Sequence, residues 1–201
     1  MFRERLLELA SGFCRLSAEQ VLRLQEHYEL LVRWNRRLNL TRIEDLDEAV
    51  ERHYAESLFL GASLPSGELR IADVGSGGGF PGFPVAVLRP ECKVILIESH
   101  QRKAVFLKEA SRSLPNVTVV PKRAEDVHQR FDWVISRAVS YSDLTSYATH
   151  LAPEFAVLGG EPEMEGAQVR PLPWGVNRRL LMFHVKQTFE HVSRETPCDR
   201  I

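Results

Sequence analysis

The feature that most restricts this chain is the stretch Gly75-Ser76-Gly77-Gly78-Gly79-Phe80-Pro81-Gly82, which holds five of its 12 glycines. A run so poor in side chains buries little of its own, so it belongs where the backbone turns sharply or comes close to a ligand. It follows the apolar run Leu69 to Val74 and leads into a helical pattern from Pro81 to Leu88, proline being well suited to a first helical turn. Strand, glycine turn and helix open a βαβ unit. Further apolar runs at Lys93 to Glu98, Val117 to Val120 and Phe131 to Ser136 read as buried parallel strands, with a second helix at Arg102 to Ser113. A helix from Asp143 to Leu151 and strands at Glu154 to Leu158 and Leu180 to Val185 complete an α/β, doubly wound sheet. The segment from Pro162 to Trp174 reads as irregular.

Ahead of the glycines the period is helical. Ser17 and Gln20 form a capping box, after which Val21, Leu24, Tyr28, Leu31 and Leu38 fall close to one face. Asp47 is placed to cap another helix through Ala49, Val50, His53 and Leu58, and Pro65-Ser66-Gly67 breaks the pattern. With 201 residues, 44% hydrophobic and 26% charged, the chain has the balance of one globular domain. Residues 1–66 then form an N-terminal helical cap within that domain, 67–186 its core, and 187–201 a polar tail.

Composition narrows the partners. A net charge of -1 argues against nucleic-acid binding through a global field and leaves room for a local basic patch. Arg33, Arg36, Arg37 and Arg42 lie within ten residues that contain no Asp or Glu, an arrangement that suits phosphates and equally suits a solvated helix face. Trp34 among them is either a core anchor or a stacking platform. Arg102 and Lys103, just beyond Glu98, are further phosphate candidates, against ordinary helix surface. Cys14, Cys92 and Cys198 are odd in number and far apart, with no CxxC pair, so neither a metal site nor a disulfide framework is expected. The N-terminus lacks a signal-length apolar stretch, and no later segment would span a bilayer, so a cytoplasmic protein without membrane or metal partners is expected.

The glycine loop acquires chemistry from an acid downstream. Glu98 follows Gly75 by 23 residues and ends the second strand, where a carboxylate accepts hydrogen bonds from both hydroxyls of a ribose. Gly75, Gly77, Gly79 and Glu98 therefore mark a nucleoside-type cofactor site. The plain alternative is a glycine turn that only packs helix on strand. Gly77-x-Gly79-x-x-Gly82 also matches a dinucleotide fingerprint, but it starts about two residues past the strand end and contains Pro81. No Gly-Lys-Ser/Thr ends the loop, which argues against a phosphate-binding loop for ATP hydrolysis. After the third strand, Arg123-Ala124-Glu125-Asp126 offers a backbone N–H beside a carboxylate for an adenine edge, or else a solvated acidic turn. His53 and His184 resemble bases, but core histidines satisfied by hydrogen bonds are the commoner case, and neither is assigned that role.

Taken in order, Trp34-Asn35, Asn39-Leu40-Thr41, Arg52-His53, the run Asp73 to Gly82, and Ile135-Ser136-Arg137-Ala138 resemble the bacterial small-subunit rRNA guanine-N7 methyltransferases, the glucose-inhibited division protein B family. The resemblance runs from about Leu16 to Leu151. It implies a Rossmann-like class I methyltransferase sheet with an N-terminal helical cap, S-adenosylmethionine as cofactor, and a guanosine of 16S rRNA in the small ribosomal subunit as substrate. Carried over by motif, Gly75, Phe80, Ala124, Glu125 and Arg137 would contact the cofactor. Arg33, Arg36, Arg37, Arg102, Lys103 and Arg137 are the candidates for the RNA, and a monomer is expected. Two positions depart from the family: Gly159 stands where it has a lysine, and Glu56 where it prefers aspartate. Guanine N7 carries a lone pair and no proton, so the resemblance implies placement catalysis with no catalytic acid or base. The alternatives are a methyltransferase of a protein or small molecule and a non-catalytic RNA-binding relative.

Overall fold

A computed structural model of the chain describes residues 1–137, 141–159, 166–175 and 177–185. Four helices come first: α1 (Phe2–Ala10), α2 (Ala18–Leu38), α3 (Leu46–Ala49) and α4 (Glu56–Ser63), with a π-helical stretch Val50–Ala55 joining α3 to α4. The expected capping box starts α2, where Ser17 N–H donates to Gln20 Oε1 at 2.9 Å and Gln20 N–H to Ser17 Oγ at 3.1 Å. Asp47 is not the cap of the next helix. Asp45 takes that place, its Oδ1 accepting Glu48 N–H at 2.8 Å, because it sits one residue ahead of the first turn while Asp47 lies inside it.

The rest alternates as expected: β1 (Arg70–Val74), α5 (Gly82–Leu88), β2 (Lys93–Ile97), α6 (Gln101–Ala110), β3 (Val117–Val120), β4 (Trp133–Arg137), α7 (Tyr141–Ala148) and β5 (Glu154–Gly159). β6 (Gln168–Pro171) and β7 (Arg179–His184) follow. The strands form one sheet in the order β3-β2-β1-β4-β5-β7-β6, parallel except for β7, which runs antiparallel to both β5 and β6. Two expectations need correction. β3 is only half-buried because it forms an edge of the sheet, and the supposedly irregular 162–174 contains β6, a short polar strand recognised through its pairing with β7. Residues 162–165, Ala138, Gly160 and the tail 187–201 lie outside the described residues.

Successive residues of the central strands supply two cores. Ile71, Val94 and Leu96 point into one, with Phe83 and Val85 of α5, Phe106 and Leu107 of α6, and Leu24, Leu31 and Tyr54 of the N-terminal region. Ala72, Val74, Ile95 and Ile97 point into the other, with Leu144 and Ala148 of α7. The first helices thus share a core with the sheet. Across the Pro65–Gly67 break, Arg89 donates to the carbonyls of Gly61, Pro65 and Gly67 at 2.9 to 3.2 Å. The chain lays β2 and β3 to one side of β1 and then returns to lay β4 on the other. That reversal opens a crevice at the carboxyl ends of the strands, the usual ligand position in such sheets.

Candidate cofactor site and nucleic-acid surface

At those carboxyl ends the first turn is built almost wholly from backbone. Gly75 and Ser76 both donate N–H to the Ile97 carbonyl, at 3.0 and 3.2 Å, and Ser76 O accepts from Gly79 and Phe80 N–H at 2.7 and 2.9 Å. Gly75, Gly77 and Gly79 adopt φ of 76°, 55° and 90°, in the left-handed region that side chains resist. Gly82 is required for another reason. A Cβ there would lie 2.6 Å from Asp73 Oδ2 and press on the Leu96 side chain.

Two carboxylates hold this turn. Glu98 accepts Gly77 N–H on Oε2 at 2.9 Å and His100 N–H on Oε1 at 2.7 Å. Asp73 is fully buried at the end of β1 and accepts Gly82 N–H on Oδ2 at 2.9 Å, while its Oδ1 has no hydrogen-bond partner. Burial raises the Asp73 carboxyl to about 7, against the opposing pull of the Gly82 N–H and Arg137.

A cavity of about 230 Å3 opens beside the turn, lined by Val74 and Gly75, by Ile97, Glu98 and Ser99, and by Lys122 to Glu125. Gly75, Glu98, Ala124 and Glu125, separated in sequence, therefore line one space. Gly77 joins it through its bond to Glu98. Gly79, Phe80 and Arg137 are placed differently, behind the turn. Phe80 is buried and stacked on the His53 ring at 4.5 Å, and the Arg137 guanidinium lies 5.3 Å from the Phe80 ring centre while donating to Arg52 O at 2.9 Å. Burial pulls Arg137 down to about 10, with Glu56 opposing the shift, so it stays charged at neutral pH.

The separate motifs of the first sixty residues form the scaffold behind Phe80. Asn35 clamps the backbone of Thr41 with two bonds, N–H to Oδ1 at 2.9 Å and Nδ2 to carbonyl at 3.0 Å, across the left-handed turn at Asn39. Thr41 Oγ1 lies 2.7 Å from His53 Nε2. His53 is buried and driven far down from 6.5, so it is a neutral packing residue. His184 faces Glu154 at 2.8 Å on the sheet's far side. His27 was not among the candidates. It is held neutral by burial, pairs with the Tyr54 hydroxyl at 2.8 Å, and turns Nε2 toward the backbone of the glycine turn. Its signal was weak because one apolar-face histidine in a helix reads as core. Glu56, the second departure from the family, is also buried and receives Arg178 through two bonds, Nε at 2.8 Å and Nη2 to the other oxygen. Gly159 ends β5 opposite Arg179.

Of the basic candidates, Arg33, Arg36, Arg37 and Arg102 line one groove of about 470 Å3 between α2 and α6. Lys103 and Arg42 do not line it. Trp34 is half-buried in its wall, edge-on to Phe106 at 5.9 Å, so it is partly anchor and partly surface. Among the described residues there is no group of three His, Cys, Asp or Glu side chains set to hold a metal, and no helix long and apolar enough to cross a membrane.

The family model described as rRNA small subunit methyltransferase G, or GidB, matches residues 20–161. The ribosomal RNA small subunit methyltransferase G of Chromobacterium violaceum is 41% identical over 153 residues, 72% of this chain and 73% of that protein. Its namesake in Pseudomonas entomophila is 40% identical over 141 residues, 68% of this chain and 65% of that protein. Among solved structures, a putative RNA methyltransferase from Pyrococcus horikoshii superposes with a TM-score of 0.53 over 80% of this chain and 98% of that one, at 18% identity, a likeness of fold. The glycine turn, its acid partner and the Rossmann-like sheet thus sit inside a sequence match that spans most of the chain, and the protein belongs to the rRNA small subunit methyltransferase G family of methyltransferases.

Proposed function

We propose that the protein transfers the methyl group of S-adenosylmethionine to N7 of a guanosine in 16S rRNA, with a small-subunit ribosomal particle as its substrate. The carrying observation is the cavity beside the glycine turn, where Glu98, Gly75, Ala124 and Glu125 converge. The donor set fits such a cofactor. Each Glu98 oxygen accepts one backbone N–H, and a carboxylate has capacity for about four hydrogen bonds, so both ribose hydroxyls can be accepted without disturbing the turn. Across the cavity, Ala124 and Glu125 would hold an adenine edge, and Gly75 would allow close approach of the methionine part.

The cofactor supplies a methyl group on a positive sulfonium. N7 needs no proton removed, so the protein's work is placement: the turn and Glu98 orient one reactant, and the RNA surface presents the other in line. The neutral, buried His53 and His27 are consistent with a site that has no general base. Phe80 and Arg137 form the wall behind the turn, and Arg137 adds a fixed positive charge. The near-neutral whole chain makes the assembled particle a better substrate than protein-free rRNA, because phosphate attraction is confined to local patches.

The test uses labelled S-adenosylmethionine, small-subunit particles from a strain lacking the homologous enzyme, and protein-free 16S rRNA in parallel, with the labelled nucleoside identified after digestion. Label in 7-methylguanosine, faster on particles, is expected. Glu98→Ala should lower cofactor affinity at least about tenfold. Cofactor binding without transfer would indicate a non-catalytic relative, and equal rates on naked RNA would remove the particle from the proposal.

A further inference from the structure

The groove between α2 and α6 has a graded chemistry. Leu30, Trp34 and Leu38 recur every four residues along one side of α2, giving an apolar floor about 12 Å long at 1.5 Å per residue. Arg33, Arg36 and Arg37 rim it from α2, and Arg102 faces them from α6. Among the described residues none of these four guanidinium groups has an ion pair or hydrogen bond. By contrast, Arg23, nearly three turns earlier on α2, is taken up by Glu19 and Ser113.

The groove also has a direction. Its Arg102 end lies four residues along the chain from Glu98, which lines the cofactor cavity. Its far end, at Leu30 and Glu109, runs into a second hollow where Glu26, Glu29 and Glu109 are balanced by Arg23, Arg33 and Arg112. Glu109 at the Leu30 end is the one acid in the groove's own lining, so its net positive charge is concentrated toward Arg36, Arg37 and Arg102.

We propose that this groove is a second nucleotide subsite. It takes one unpaired nucleotide of the RNA strand that presents the target guanosine, with phosphates on the four arginines and the base against Trp34. The volume of about 470 Å3 is that of a small-ligand site, and a base reaches Trp34 only when it leaves a duplex stack. The position next to the target rests on the proposed RNA methyl transfer; the affinity for an unpaired nucleotide does not.

The test titrates the full chain with a short single-stranded oligoribonucleotide and its duplex, following tryptophan fluorescence at several salt concentrations. The single strand should quench the signal, and Trp34→Phe should abolish most of that quench while Trp133 and Trp174 remain. Arg36→Glu combined with Arg37→Glu should weaken binding about tenfold or more and lower the salt slope by about two, with S-adenosylmethionine binding unchanged. An unchanged quench in Trp34→Phe, equal quenching by duplex, or wild-type affinity in the double variant would overturn the subsite. Methyl transfer to particles by the wild-type chain is scored separately. Transfer with wild-type oligonucleotide binding in the variants would remove the groove alone, whereas a Trp34-dependent quench without transfer would keep the groove and remove the methyl-transfer reading.

Discussion

In the glycine turn the N–H groups of Gly75, Ser76, Gly77, Gly79, Phe80 and Gly82 are all tied to a neighbour, whereas among the described residues Arg33, Arg36 and Arg37 of α2 and Arg102 of α6 have no partner. The turn gains nothing from flexibility. It must offer a fixed backbone to a cofactor, so Ile97, Glu98 and Asp73 set its shape before any ligand arrives, which keeps the ordering cost out of binding. On the proposed reading the groove meets a polymer of variable conformation, and side chains committed to internal ion pairs would have to break them before meeting phosphate. Stability is therefore concentrated in the turn and binding capacity in the groove.

Asp73 gives the largest expected separation between the two. Its carboxyl rises from 3.8 to about 7 on burial. Below pH 3.8 both folded and unfolded chains hold this proton, and its favourable contribution is fully present. As pH rises toward about 7 the unfolded chain gives the proton up first, so that contribution is lost across the window and no further above it. Asp73→Asn lacks this loss. The unfolding free energy of the wild type minus that of the variant, from urea denaturation, should fall by roughly 2–4 kcal/mol across the window. A flat difference would mean that the carboxyl is better solvated than its burial indicates.

Gly82→Ala comes next. The added methyl meets Asp73 Oδ2 at 2.6 Å and Asp73 Cβ at 2.8 Å, and Asp73 cannot move without releasing Gly82 N–H. Unfolding should cost about 2 kcal/mol less than in the wild type, with cofactor binding weakened in parallel. A variant of undiminished stability would show that the turn is looser than its hydrogen bonds suggest. Arg33→Ala is the small end of the series. Lacking partners, it should change stability by less than about 0.5 kcal/mol while lowering the salt dependence of RNA binding. A larger loss of stability would make the groove part of the fold.

The same contrast explains what could be read from residue order. The strands from β1 to β5, the capping box at Ser17 and the pairing of the glycine turn with Glu98 were legible, because hydrophobic period and turn chemistry act over a few consecutive residues. Phe80 and Arg137 were singled out from their motifs, but their place behind the turn, stacked in sequence with His53, was not. Nor was the cap at Asp45, since Asp45 and Asp47 are equally good capping residues and only the entry angle of α3 selects between them. β6 escaped because four residues ending in proline become a strand only when β7 supplies their hydrogen bonds.

Residue order alone determined the α/β alternation, the glycine turn and the acid that serves it, all of which depend on neighbours along the chain. Tertiary structure decided the charge states of Asp73, His27 and His53, which depend on water being excluded by distant segments. It also decided that Arg33, Arg36 and Arg37 share a groove with Arg102, because two helices must pack antiparallel before charges some seventy residues apart come together.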